Sequence, residues 1–542
     1  MQRDLGRLAG DPFDVVVIGA GIYGALAAWD AAARGLHVAL IDRGDFGSGT
    51  SFNSLKTLHG GLRSLQSLSL RQMRLFIRER RALARMAPHL VQPLPFCVPT
   101  SGWATRSPAA LRVALALTDL VGLDRNDGVD EALCLPGGRT VSRDECLRLN
   151  PLIAADGVRG GAVWADYQMR QAERVTLAAV RSAAAAGAAA ANYVEAVALA
   201  RTGGTIAAVT VEDRLGGQRF DLRTRAVLNA AGPWAGAVLG RLAASPTPIP
   251  ATRLSRAMNL VVDRVTTTHA CGGVVDGRFL FVVPWRDVSI LGTSHDVHDG
   301  DADAPHGTRP HVEALLADAA RAFPRAGVTA DRVRLVHRGL LPMVSGSAAG
   351  VALLRESQVV DHGPAGCPGL FSIFSVRYTT ARHTAVEAVN AVAAHLGRGG
   401  DAGLTAASRV AGAAFASLQT LYDDAEAAQS AGLDAPTRRR LAATYGSEWP
   451  LVAALATDQP ALAQPLSAAC GVTGAEVLYA VRHEAAVTLG DVMLRRTEAG
   501  TAGRPDAAAT AAAATIMADA FGWHDARVRA ERDALEAVYP PR

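Results

Sequence analysis

The stretch FDVVVIGAGIYGALAAWDAAARGLHVALIDR, Phe13 to Arg43, decides the fold. Asp14 to Ile18 is an apolar, β-branched run suited to a strand buried on both faces. Gly19, Gly21 and Gly24 then spell G-x-G-x-x-G, an Ala-rich helical segment follows, and HVALID brings a second strand that ends on Asp42. Strand, glycine turn, helix, strand and acid in about thirty residues match a dinucleotide-binding βαβ unit. Gly19 permits the tight turn, Gly21 lets backbone N–H groups approach a pyrophosphate, and Gly24 lets the helix close on the strand. Asp42 stands where a carboxylate accepts hydrogen bonds from a ribose 2′-OH. An ordinary parallel βαβ unit with chance glycines is the competing reading, and the complete context weighs against it.

Immediately outward, the Gly/Ser/Thr-rich segment RGDFGSGTSFNSLKTLHGGLR reads as a loop beside the nucleotide. It crowds Ser51, Ser54, Lys56, His59, Gly60, Gly61 and Arg63 together, too dense in polar groups for a simple connector. Lys56 is the chain's single lysine. Leu70 to Met86 reads as a charged amphipathic helix ended by Pro88.

The 542 residues can bury large cores, and more than one domain is expected. Lys+Arg at 55 against Asp+Glu at 51 leaves +4, which makes no electrostatic case for nucleic acid. Cys97, Cys134, Cys146, Cys271, Cys367 and Cys470 show no CxxC spacing, which suits reduced thiols rather than disulfides or a zinc site. No metal is expected. MQRDLGRLAGDPF has no apolar signal core, and no run of about 18 apolar residues predicts a membrane span. The expected location is cytoplasmic, with peripheral contact at the inner face of the membrane left open.

Farther along, AVLNAAGPWA ends an apolar strand in Ala230, Ala231 and Gly232, small enough for backbone to lie against a flat cofactor. A tight structural turn is the alternative. FSIFSVRYTTARHTAVEAV reads as a strand entering a helix with Thr379 or Thr380 as N-cap, and that N-terminus favours negative charge nearby. The expected architecture is α/β: a discontinuous nucleotide-binding domain (1–97, 160–250, 345–398), an inserted α+β substrate domain (98–159, 251–344) and a C-terminal helical cap (405–542).

The segment TSFNSLKTLHGGLRSL, following this βαβ unit, resembles the FAD-dependent glycerol-3-phosphate dehydrogenase family, which carries a serine-rich loop leading into K-x-x-HGGLRYL. The resemblance continues through Asp166 with Gln168, NYVEAV at Asn192 to Val197, NAAGPWA from Asn229, FVVPW from Phe281, GTSHD from Gly292, VRYTTAR from Val376 and TYGS from Thr444. It implies a Rossmann-like FAD-binding domain and hydride transfer from a substrate carbinol to flavin N5. It also implies FAD contacts from Gly19, Gly21, Gly24, Asp42, Thr50, Ser51, Ser54, Lys56, Val197, Ala231, Gly232, Tyr378 and Thr379. His59 is the first candidate for the base, because imidazole titrates near neutrality; a hydrogen-bonded structural histidine is the alternative. Arg63 and Arg377 complete the expected catalytic set.

Several positions depart from the family pattern. Ser64 stands for tyrosine, Asn259 for histidine, Leu341 for the arginine of G-x-R-P, and Arg377 for lysine before the threonine pair. Loss of one arginine removes charge and bidentate geometry from a phosphate site. Arg63, Arg256 and Arg338, with Asn259, are the expected substrate contacts, and Arg377 adds a fourth cation. The expected substrate is sn-glycerol 3-phosphate or a related hydroxylated or phosphorylated molecule, with quinone or oxygen as electron acceptor. An amine or hydroxy-acid oxidase and a non-catalytic FAD-bound interaction protein are the other readings, and a homodimer stays open.

Overall fold

The computed structural model describes residues 1–62, 69–100, 107–242, 253–304, 307–344, 351–354, 356–399, 403–429 and 432–540. The chain runs α1 (Leu5–Gly10), β1 (Phe13–Ile18), α2 (Ile22–Ala33), β2 (Val38–Ile41), β3 (Thr57–Leu58), α3 (Leu70–Met86), β4 (Val91–Thr100) and α4 (Pro108–Val121). Then come β5 (Arg139–Val141), α5 (Arg143–Leu149), β6 (Gly160–Met169), α6 (Ala172–Ala185), β7 (Ala189–Ala191), β8 (Val194–Thr202), β9 (Thr205–Asp213), β10 (Arg219–Asn229) and α7 (Ala235–Leu242). A meander follows: β11 (Arg253–Asp263), β12 (Ala270–Val275), β13 (Arg278–Trp285), β14 (Val288–His298), α8 (Arg309–Ala322) and β15 (Val333–Met343). β16 (Gln358–Asp361), β17 (Leu370–Phe374) and α9 (Ala381–His395) return to the first sheet.

That sheet has the order β16-β17-β10-β1-β2-β7, and β17 through β7 are parallel. β1 is central, which explains its unbroken apolar run. Val15 and Val17 enter one core beneath α2, α6 and α9, while Val16 and Ile18 enter the core on the other face. β10 extends beyond the parallel part to pair antiparallel with β9.

The second sheet has the order β15-β11-β14-β13-β12-β4-β6-β3. It claims more chain than the sequence assigned to it. Residues 57–58, 91–97 and 160–169 were expected in the nucleotide domain, yet β4 and β6 pair from Val91↔Met169 to Thr100↔Gly160, and Thr57 pairs with Gln168. That antiparallel pairing spans some seventy residues, and no local pattern announces it.

Beyond α9 the described residues are mainly helical. Their apolar faces form no separate core: Val410 to Tyr479 join the core of α2 and α6, and Val472 to Tyr539 join Val261, Trp285, Ile290 and Leu335 of the second sheet. Among the described residues, no helix is long and apolar enough to cross a membrane.

Candidate active site

The glycine turn is set by close contacts. Gly19 has φ +99°, and a Cβ there would lie 2.7 Å from the Ala230 carbonyl oxygen. A Cβ on Gly24 would lie 1.8 Å from the oxygen of Gly19. Gly21 is the N-cap of α2 and has no capping side chain. The first N–H of that helix, Ile22, donates to Ser51 Oγ at 3.0 Å, so the serine-rich loop lies over the helix N-terminus. Asp42 accepts from Ala20 N (2.7 Å) and Gly44 N (2.9 Å). Burial pushes its carboxyl up to about 6, against the pull of those two N–H groups. A narrow glycine cradle, an anion-favouring helix terminus and a part-buried acceptor at the strand end fit the pyrophosphate and ribose of FAD.

Val197 is the extra residue of a bulge in β8, between Ala196 and Ala198. Ala231 and Gly232 follow one residue after the end of β10, and Gly232 has φ +58°. Thr50 Oγ1 donates to the Leu340 carbonyl, and Ser54 Oγ accepts from Lys56 N, so these two hydroxyls shape the loop. The Lys56 ammonium is fully buried, donating to the Phe52 carbonyl (2.7 Å) and pairing with Glu173 (3.1 Å). Its charge is spent inside the protein. Tyr378 donates to the Ala172 carbonyl, and Thr380 is the N-cap of α9.

His59 stands half exposed at the end of β3. Its Nδ1 lies 3.4 Å from Asp166 Oδ2 and its Nε2 2.9 Å from Thr57 Oγ1, while its backbone N–H donates to Thr379 Oγ1 (3.1 Å). Asp166, on β6, also accepts from Gly60 N (2.7 Å) and Trp164 Nε1 (3.3 Å) and pairs with the buried Arg80. Burial works to raise the Asp166 carboxyl, but Arg80 and the hydrogen bonds hold it below its ordinary value. An ionised carboxylate accepts only, so Nδ1 carries the proton and Nε2 is the basic nitrogen. Phe96 lies 5.9 Å from the imidazole, stacked on Trp164 and edge-on to Phe281.

The predicted anion pocket is only partly assembled. Arg63 and Ser64 lie outside the described residues. Arg377 places its guanidinium 5.1 Å from the Phe76 ring, and Phe76 packs beneath Gly61. Arg256 and Arg338 are turned away. Side chains alternate along a strand, and β11 and β15 pair with Asn259 opposite His337 and Met258 opposite Arg338. Asn259, His337, Gly339 and Leu341 therefore share the face toward the loop at 50–54, where His337 meets the Ser54 carbonyl (3.1 Å). Arg256 and Arg338 share the opposite face with Met258, and Arg338 donates to the Gly307 carbonyl. Asn259 accepts from Thr293 Oγ1 (2.7 Å). Sequence reasoning overlooked Arg80 and, as a site residue, Asp166; their pairing is long-range, though Asp166 stood inside a family motif. No group of acidic, His or Cys side chains among the described residues is arranged to hold a metal.

A dinucleotide cradle together with a carboxylate-backed histidine suits a nucleotide-dependent oxidoreductase, and the family match makes it flavin-dependent. The family model described as FAD dependent oxidoreductase matches residues 14–374, and that of the C-terminal domain of alpha-glycerophosphate oxidase matches 404–528. Glycerol-3-phosphate dehydrogenase of Synechocystis is 31% identical over 92% of this chain and 90% of that protein. The human mitochondrial glycerol-3-phosphate dehydrogenase is 31% identical over 90% and 67%. The FAD-complexed glycerol-3-phosphate dehydrogenase of Bacillus halodurans superposes with a TM-score of 0.76 at 26% identity, covering 98% of this chain and 95% of that one. The chain belongs to the FAD-dependent glycerol-3-phosphate dehydrogenase family.

Proposed function

We propose that this protein oxidises sn-glycerol 3-phosphate, or a close hydroxylated relative, to the ketone and passes the electrons to quinone or oxygen. The observation that carries the reading is His59 held by Asp166 beside the cradle. Bound FAD supplies the hydride acceptor at its isoalloxazine N5. His59 Nε2 takes the hydroxyl proton once the Thr57 hydroxyl turns aside, and Asp166 stabilises the imidazolium that forms. Gly60, Trp164 and Arg80 fix that carboxylate so that it need not reorganise. Phe96, Trp164 and Phe281 exclude water from one side. Arg377, reaching over Phe76, which packs beneath Gly61, takes the substrate anion together with Arg63. Anaerobic mixing of FAD-loaded protein with glycerol 3-phosphate is expected to bleach the flavin absorbance. Bleaching by another hydroxylated donor and not by this one reassigns the substrate.

A second reading, an amine or hydroxy-acid oxidase, is favoured by the apolar Leu341 on the face it shares with Asn259. Ammonia or a keto acid among the products selects it. Peripheral membrane contact is supported by α4, which exposes Val113 (68%) and Leu120 (64%) ahead of Leu123 (77%). Sedimentation with anionic vesicles, lost in Val113→Ser/Leu120→Ser, tests that contact.

A further inference from the structure

Asp45 lies three residues beyond Asp42 in the loop that forms the cradle, and its carboxylate is completely buried. Four donors converge on it: Asn192 Nδ2 (2.8 Å), Arg495 Nε (2.5 Å), and Arg496 Nη1 and Nη2 (2.8 Å each). The two arginines, which end a π-type turn at Val492–Arg496, outweigh burial and hold this carboxyl far below its ordinary range. Both come from the C-terminal region. Arg495 also reaches Asp491 (2.7 Å), which accepts from Tyr193 (2.6 Å). Asn192 also donates to the Ala485 carbonyl (3.0 Å).

The same loop closes a ring around the cofactor cradle. Gly47 N–H donates to the Ala20 carbonyl (3.0 Å), and Ala20 N–H donates to Asp42. Tyr193 N–H donates to Gly44 O (2.9 Å), and Val194 N–H to Asp42 O (2.7 Å). The backbone that must meet pyrophosphate and ribose is thus tied, through a single buried carboxylate, to arginines some 450 residues away in sequence.

We propose that Asp45, Arg495 and Arg496 form a clamp by which the C-terminal region sets FAD affinity. The clamp rests on the assignment of the cradle to FAD. These are positioning residues: they hold Asp42 and the glycine turn in the geometry FAD requires and touch no reacting atom. Because coupling is reciprocal, bound FAD strengthens the hold on the C-terminal region in turn.

The test is titration of reversibly prepared apoprotein with FAD, followed by flavin fluorescence. Asp45→Asn and Arg496→Met are expected to weaken FAD binding about tenfold or more, with Arg496→Lys recovering part of the loss. Arg440→Met is the control, because Arg440 forms a part-buried bidentate pair with Glu476 in the C-terminal region without touching this loop. It should lower the melting temperature and leave FAD affinity unchanged. Equal losses of affinity in Arg496→Met and Arg440→Met, or none in either, overturn the clamp. Should the variants not fold, hydrogen exchange on the wild type decides: FAD slows exchange of the amides at 484–497 if the clamp holds, and leaves them unchanged if it does not. A wild type that binds no FAD overturns the cofactor assignment and the clamp together, whereas a wild type that binds FAD no better than its variants overturns the clamp alone.

Discussion

The Nδ1 of His59 lies 3.4 Å from the Asp166 carboxylate, and Asp166 is fixed on its other side by Arg80 and the Gly60 N–H. The imidazole is therefore oriented before substrate arrives. His59→Asn is expected to slow anaerobic flavin reduction by about 10²- to 10⁴-fold with FAD content unchanged. Rapid-mixing absorbance measures both; an unaltered reduction rate removes His59 from the base role.

Asp42 gives FAD binding a pH dependence of defined sign. In the folded protein without cofactor its carboxyl is raised from 3.8 to about 6, so at lower pH it holds a proton that the unfolded chain would have released. Its contribution to stability is accordingly least favourable above that value and improves as pH falls toward 3.8. Ribose hydroxyls donating to the carboxylate favour the ionised form, so binding expels the proton. FAD affinity should be flat above about pH 6.5 and fall toward tenfold per unit below about pH 6. Titrations across this range in wild type and Asp42→Asn check it, the variant showing weaker binding without the slope.

Gly24→Ala would place a methyl carbon 1.8 Å from the Gly19 oxygen, where neither backbone segment can yield without opening the turn. Purified variant should lack the 450 nm flavin band, a wavelength characteristic of about any oxidised flavin. A yellow Gly24→Ala protein contradicts the cradle.

Leu341 is the position at which a cation is absent from the face of Asn259 and His337. Leu341→Arg is expected to lower the KM for glycerol 3-phosphate by about 10- to 100-fold, the worth of a charge-assisted hydrogen bond, with a smaller change in kcat. If KM does not move, the substrate anion binds elsewhere.

Among the described residues, Lys56→Met leaves the buried Glu173 with only Arg286, at 3.9 Å, to answer its charge. Removing one partner of such a pair costs about 3 to 5 kcal/mol. Denaturant unfolding should show that loss, partly recovered in Lys56→Met/Glu173→Gln.

How much of this was legible depended on distance along the chain. Gly19, Gly24 and Asp42 were readable because a βαβ unit is local, and its glycines answer to contacts inside it or one strand away. The N-cap of α9 was readable to within one residue, Thr379 or Thr380, for the same reason. Arg256 and Arg338 were misjudged because charge shows in the sequence while the facing of a strand depends on its pairing partner. Lys56 drew attention as the only lysine, yet burial against Phe52 and Glu173 turned it into a loop anchor. Asp45 passed unnoticed because nothing near it hints at Arg495 or Arg496.

The central position of β1 also fixes when this protein can become a protein at all. Val16 must wait for Val227, and β10 in turn for Leu370, before the parallel sheet has its middle. On a ribosome adding about 5–20 residues per second, the first strand has β2 beside it at once but stays without β10 for tens of seconds. Until then VVVI, paired only with β2, is an apolar strand with one bare edge, the kind of segment that nascent-chain chaperones shield.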